Sequence, residues 1–301
     1  MTKGRSNELM SILKLSAGSI GSIAQQTLLD ETDAVVLGSV SKGIYLLTPG
    51  RRVIYISYEK YRSPLTITLV KALLHPPSVE LGDKVRLNAT SIDWMNGKVS
   101  LSLADAQIWS VPAAEEISEP PDVLYNRLVE IATGVAAAKG RLGFAPLLLP
   151  ILGITPMDWQ SAELALVWTK LKNLLDNGSK LATAGMFDQL SGLLGYGRGL
   201  TPSGDDLLTG FLLAEWRWDT GSVELARTIS RAAYQNTTTL SANLIECAAA
   251  GQADERLIQV VDTIASGKMA LQSCVDQLLD YGSSSGADTL AGIALAARLS
   301  L

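Results

Sequence analysis

Between residues 111 and 122, at "VPAAEEISEPPD", the chain changes how it distributes its apolar residues. Before this stretch, from residue 34 to about 110, lie short runs rich in Val, Ile, Tyr and Thr: "AVVLGSV", "GIYLLT", "RVIYISY", "LTITLV", "KVRLNAT" and "KVSLSLADAQIW". Turn residues separate them, which is the pattern of strands. After it, from "PDVLYNRLVEIATGVAAAKG" onward, apolar residues recur at helical spacing. The breaks there fall at Gly140, Gly153, Gly178, Gly192, Gly221, Gly251, Gly267 and Gly282. A stretch with proline, acid and alanine but no periodicity marks the boundary.

The expected fold class is α+β: a small β-barrel or sandwich followed by an all-α bundle of about eight helices. Residues 1–33 are assigned as an N-terminal helical segment, 34–115 as the β-rich domain and 120–301 as the α-helical domain. Asn96 and Gly97, between "SIDWM" and "KVSLSL", predict a tight hairpin, because Asn-Gly tolerates the positive φ values of a type I′ turn. Thr155 and Pro156 predict a helix start, with the threonine as cap and proline at the first helical position, and Gly178 predicts that helix's end.

With 301 residues, 47% hydrophobic and 18% charged, the chain can bury a real core in each half. A net charge of -5, with Lys and Arg scattered, leaves no basic face, so nucleic acid is not an expected partner. Arg51 and Arg52, with Lys60 and Arg62 soon after, read as solvated charges; Tyr58, Lys60 and Arg62 beside "SPL" fit either a cleft or a plain turn. Two cysteines without CxxC spacing exclude a disulfide framework and a zinc site. The one histidine, His75 in "LLHPPS", reads as a loop or packing residue. "MTKGRSNELMSILKL" is too polar for a signal peptide and "FAPLLLPILG" is interrupted by Pro146 and Pro150. Nothing approaches the roughly 20 apolar residues that span a bilayer, so no membrane partner and a cytoplasmic location are expected.

The helical half contains a repeat. "SGDDLLTGFLLA", residues 203–214, aligns without a gap on "SGADTLAGIALA", residues 285–296, sharing S-G-x-D-x-L-x-G-x-x-L-A. Ser203 with Asp206, and Ser285 with Asp288, have the form of a capping box, worth on the order of 1 kcal/mol per cap. Gly210 and Gly292 then fall inside helices, where glycine costs about 1 kcal/mol relative to alanine. Close helix–helix approach offsets such a cost most simply, so the two repeat helices are expected to pack at those glycines. If they cross in a parallel sense, their N-termini converge and suit an anion; if antiparallel, no such pocket exists.

The first copy carries more than a cap needs: Asp205 where the second has Ala287, the preceding Arg198 and Thr201, and Gly195, Gly197 and Gly199. Gly199 to Gly204 has the spacing of a phosphate-binding loop, but the next residue is Asp205 rather than lysine and the loop follows a helix, which excludes that motif. Asp205 fits a Mg²⁺ ligand, a general base or a solvated carboxylate. The candidate site is therefore Asp205 and Asp206 for chemistry, with Arg198, Gly199, Thr201, Ser203, Gly204, Ser285, Gly286 and Asp288 for a phosphate- or carboxylate-bearing ligand.

"GRGLTPSGDDLLTG" resembles the signature of the AllH-like family, the third subunit of bacterial oxamate carbamoyltransferase, and "GSSSGADTLAG" resembles its C-terminal signature. "LSLADAQIWSVP" is similar to the end of that family's N-terminal domain. The resemblance implies interconversion of oxalurate and phosphate with oxamate and carbamoyl phosphate, in anaerobic allantoin breakdown, within a complex that includes an FdrA-like subunit and one other. Every one of these ligands is an anion. A non-catalytic assembly or regulatory subunit, or a small-anion-binding protein, remains the alternative.

Overall fold

The computed structural model describes residues 12–71, 77–117, 119–156, 161–177 and 183–300. His75 and Gly178 lie outside them. The chain divides into two compact units, one ending at Ser110 and the other beginning at Val111.

The first unit is a barrel. Its strands are β1 (Leu13–Gly21), β2 (Asp33–Val40), β3 (Gly43–Leu47), β4 (Val53–Ser57), β5 (Thr66–Leu69), β6 (Lys84–Leu87), β7 (Ser91–Trp94), β8 (Val99–Ser102) and β9 (Gln107–Trp109). They pair in the order β5-β4-β3-β2-β6-β7-β8-β1, and β1 closes the ring on β5. β9 continues along β1 beyond β8, both in parallel register. Closure leaves no exposed ladder among the eight ring strands, which removes the edge that an open sheet must protect. The alternation that marks a half-buried strand puts Ile92 and Trp94 of β7, and Val99 and Leu101 of β8, into the core with Ile44, Leu46, Ile54, Ile56 and Ile67.

Two local expectations change here. The described part of the segment expected to be helical, residues 12–33, begins with the nine-residue strand β1; only Ser22–Asp30 form a helix, α1. "LKLSAGSIG" lacks alternation because this strand bends through a bulge between Ala17 and Ser19 while changing partners from β8 to β9. The hairpin at Asn96 and Gly97 exists, pairing Ile92 with Leu101, but it is not type I′. Only Gly97 takes a positive φ, +72°, and the Gly97 N–H closes a turn on the Trp94 carbonyl at 2.9 Å. Asn96 instead uses its side chain, whose Oδ1 accepts from the Lys98 N–H.

The second unit is helical throughout its described residues. It comprises α2 (Pro121–Lys139), a 3₁₀ turn (Ala145–Leu147), α3 (Leu148–Ile151), α4 (Ala162–Asn177), α5 (Thr183–Ser191), α6 (Ser203–Arg217), α7 (Val223–Asn236), α8 (Thr239–Ala248), α9 (Glu255–Ser266), α10 (Leu271–Asp280) and α11 (Ser285–Ser300). These ten α-helices among the described residues exceed the eight expected from the glycine breaks, because several helices end without a glycine. The helix expected to start at Thr155 and Pro156 is described only from Ala162, and Ser161 caps it by accepting the Leu164 N–H.

Helices α6 and α11 are buried along nearly their whole length and form the centre of this unit. At the far end of α6, Arg217 makes a two-pronged ion pair with Asp262 at 2.7 Å through each prong. The same guanidinium donates to the carbonyls of Pro112, Ala113 and Gly251, so a fully buried cation is neutralised and tethers residues 112–113. No helix among the described residues is long and apolar enough to cross a membrane.

Candidate functional site

The two repeat helices pack directly, and in parallel. A Cβ on Gly292 would collide with the Leu207 carbonyl oxygen and stand 2.6 Å from the Phe211 amide nitrogen. A Cβ on Gly210 would collide with the Thr289 carbonyl. Under the repeat alignment Leu207 corresponds to Thr289, so the two contacts are equivalent by an approximate two-fold relation. Starts meet starts and ends meet ends: Thr201 Oγ1 is 3.4 Å from Ser285 Oγ, and at the far end Ser300 donates to Glu215. Backbone touches backbone only because neither crossing point carries a side chain.

The same relation governs the loops leading in. The Gly204 N–H donates to the Tyr196 carbonyl at 2.8 Å and the Gly286 N–H to the Tyr281 carbonyl at 2.9 Å. Gly204 packs on the Leu193 carbonyl as Gly286 packs on that of Leu278. Each tyrosine is held from outside, Tyr196 by its hydroxyl on the Glu163 carbonyl and Tyr281 by the Arg256 guanidinium over its ring. The repeat thus extends backward, to "LLGYG" at 193–197 and "LLDYG" at 278–282. Those five-residue strings are the signal that would have located Tyr196 and Tyr281 from sequence.

Convergence of the helix starts corrects the capping boxes. Ser203 and Ser285 are the first helical residues rather than the caps, so neither pairs with the acid of its own helix. Pro202 precedes α6 and provides its carbonyl to the amides of Asp205 and Asp206. The serine–acid pairs cross instead: Ser285 and Thr201 stand beside Asp206, and Ser203 and Ser284 beside Asp288. Asp206 is 3% exposed and Asp288 0%. Burial raises Asp206 well above the ordinary carboxyl range; the hydroxyls of Ser285 and Thr201 offset this in part, and the neighbouring Asp288 and Asp205 add to it. Burial also raises Asp288, to about 6, against the lowering influence of the Phe144 N–H, of Ser203 and Ser284, and of Lys139. Despite these nearby hydroxyls, the Oδ2 atom of each acid has no partner at hydrogen-bonding distance.

The halves differ in what covers them. Asp288 Oδ1 accepts from the Phe144 N–H at 2.5 Å, with Gly143 packed against the carboxyl in a left-handed conformation. Lys139, at the end of α2, donates to the carbonyls of Leu279, Gly282 and Ser283 and so braces the loop before α11. Sequence reading missed Gly143, Phe144 and Lys139, because nothing local in "AAAKGRLGF" points toward a helix starting at residue 285.

Asp205 faces away from this cluster. Its Oδ1 accepts from the Gly195 N–H at 2.8 Å and its Oδ2 from the Thr237 hydroxyl, so it ties the loop before α6 to the start of α8. Thr238 reinforces the tie by donating to the Leu200 carbonyl at 2.8 Å. Burial raises the Asp205 carboxyl, and the Gly195 N–H, Thr237 and Ser241 pull it back. Among the described residues no group of three or more His, Cys, Asp or Glu side chains is arranged to hold a metal ion. Arg198 and Gly199 lie on the exposed crest of the same loop, Gly199 at φ +100°. The amides of Gly204 and Gly286 are taken by the tyrosine carbonyls. The amides of Ser203 and Ser285 have no protein partner among the described residues. The half-buried hydroxyls of Thr201 and Ser285 lie 3.4 Å apart beside Asp206, and that of Ser203 lies beside Asp288.

Fold and site together define an internally repeated helical protein whose paired helix starts present hydroxyl and amide donors above two buried acids. Residues 193–297, from the loop before α6 into the last turn of α11, match the family model described as oxamate carbamoyltransferase subunit AllH, so that region of the chain is similar to that family. No solved structure matches the chain.

Proposed function

We propose that this chain is a subunit of a cytoplasmic carbamoyltransferase complex, binding a small anionic substrate at the paired starts of α6 and α11. The observation that carries the reading is the crossed arrangement of Ser203 with Asp288 and Ser285 with Asp206. It brings two helix N-termini, each with a positive dipole end and an unpartnered first amide, to one point. The AllH match supports a place as one subunit of such a complex; an FdrA-like chain among the partners, and oxalurate, oxamate, phosphate and carbamoyl phosphate as ligand class, are part of the proposal. The donors of Thr201, Ser203 and Ser285 stabilise negative charge on phosphate or on the tetrahedral intermediate of carbamoyl transfer. Arg198, on the exposed crest of the loop and without an ion pair among the described residues, is available to a carboxylate. Asp205 serves this site by positioning its loop.

Near-complete burial of Asp206 and Asp288 favours a second reading, in which the pair only locks the two helices together while a partner subunit performs the chemistry. Activity of the reconstituted complex separates the two. With the partner subunits present, Thr201→Ala and Ser285→Ala are each expected to lower carbamoyl transfer about a hundredfold, the effect of losing one donor to developing charge. Undiminished turnover in both variants, with the complex still assembled, would leave the assembly reading.

A further inference from the structure

The geometry points to Asp206 acting as a neutral carboxylic acid whose Oδ2–H is donated to the bound anion, while Asp288 is the carboxylate of the pair. This deepens the proposed anion site and rests on it. Two acids beneath an anion are a contradiction if both are ionised, since like charge at short range opposes binding. The structure resolves the contradiction by treating the two repeat positions differently.

Asp288 is held in the way an anion is held: a backbone N–H donates to its Oδ1, and Lys139 contributes a favourable charge. Asp206 has neither. It makes no ion pair among the described residues, its Oδ2, like that of Asp288, lacks a hydrogen-bond partner, and it is buried at the junction of the helix starts beside Thr201 and Ser285. The charged groups acting on it are both acids, Asp288 from α11 and Asp205 from its own helix. From the other helices packed on α6 the ionisable groups are engaged elsewhere, Glu246 of α8 with Tyr234 and Asp262 of α9 with Arg217. Lys139 of α2 spends its hydrogen bonds on three carbonyls. A buried acid with no backbone N–H and no cation of its own, and with only the hydroxyls of Ser285 and Thr201 to lower it, keeps its proton. The proton then gives Oδ2 a hydrogen bond to offer, and an anion seated among Thr201, Ser203 and Ser285 is the acceptor it lacks.

Oxamate tests this, because its carboxylate stays ionised throughout the useful pH range. Binding to the full-length chain, alone and with its partner subunits, is measured by calorimetry from pH 6 to pH 10. The affinity is expected to be level at low pH and to fall about tenfold per pH unit once Asp206 ionises. Asp206→Asn, whose Nδ2–H replaces the acid's O–H, is expected to keep binding and flatten that fall. If this variant does not fold, proton uptake by the wild-type chain on oxamate binding, read from buffers of different ionisation enthalpy, serves in its place. Uptake in the falling region supports the inference and its absence overturns it. A flat wild-type profile, or an unchanged slope in Asp206→Asn, overturns the inference and leaves the anion site standing. No binding of oxamate or inorganic phosphate at any pH, with or without partners, overturns the site itself and the inference with it.

Discussion

Gly292→Ala is expected to destabilise the helical unit by about 3 kcal/mol, the upper end of what overpacking costs, and Gly210→Ala by a similar amount. At either position the added methyl meets a backbone carbonyl of the other helix, not a side chain that can swing aside: Leu207 for Gly292 and Thr289 for Gly210. Relief requires the helices to separate, and separation pulls Ser203 from Asp288 and Ser285 from Asp206. Gly38→Ala in β2 is the control. A Cβ there meets nothing within 4 Å and the backbone is not left-handed, so stability should change by less than about 0.5 kcal/mol. Urea denaturation of the three variants decides the matter. Equal stabilities for Gly292→Ala and the wild type would mean that α6 and α11 are not in backbone contact. Because the two glycines share one interface, the double variant should cost less than the sum of the singles.

Asp288→Asn is expected to be more stable than the wild type above pH 6, and to lose that advantage below pH 4. The sign follows from the direction of the shift. The folded-state carboxyl is raised to about 6 from an ordinary 3.8. Between those values the folded chain holds a proton that the unfolded chain has released. Its contribution is therefore fully present below about pH 4 and lost as pH rises through 6, a loss of about 3 kcal/mol for a shift of this size. Asparagine keeps an oxygen for the Phe144 N–H and cannot ionise, so the variant removes this part of the slope. Asp205, Asp206, Glu215, Asp254 and Asp262 are raised too, each first by burial, so a shallower slope of the same sign should remain. Denaturation curves at pH 4, 6 and 8 test this. Parallel pH dependence in wild type and variant would show that Asp288 does not titrate in this range.

Much of the architecture was legible because it is written over short distances. Val- and Ile-rich runs with turn residues between them placed the strands β2 to β8, and the change of apolar spacing after "VPAAEEISEPPD" placed the helices. Strand β1 was not legible: its small and polar residues, its bulge and its change of partner leave no periodic trace, although it closes the barrel. The type of the Asn96 turn was missed for a related reason. Asn-Gly permits two left-handed residues, but the Asn96 side chain found a partner in the Lys98 amide with only one.

In the site, the repeated S-G-x-D-x-L-x-G pattern was enough to foresee that Gly210 and Gly292 mark a close approach, since a buried helical glycine has few other physical uses. It could not decide the partners of the acids. Ser203 with Asp206 fits a capping box by spacing alone, and the spacing is equally met when each serine serves the other helix. Asp205, the aspartate that no cap requires, looked the most chemical residue of the stretch, yet it holds Gly195 and Thr237 while Asp206 sits at the junction.

What the sequence determined by itself, then, was a strand-rich half, a helical half and a repeated helix start with glycine about two turns in. Backbone hydrogen bonding and side-chain sterics act over a few residues, so those features need no knowledge of the fold. Which groups face Asp206 and Asp288, and which of the two is left without a backbone N–H or a cation, was decided only by tertiary structure. Thr201 and Ser285 stand 84 positions apart in sequence and meet because two parallel helices cross where neither has a side chain.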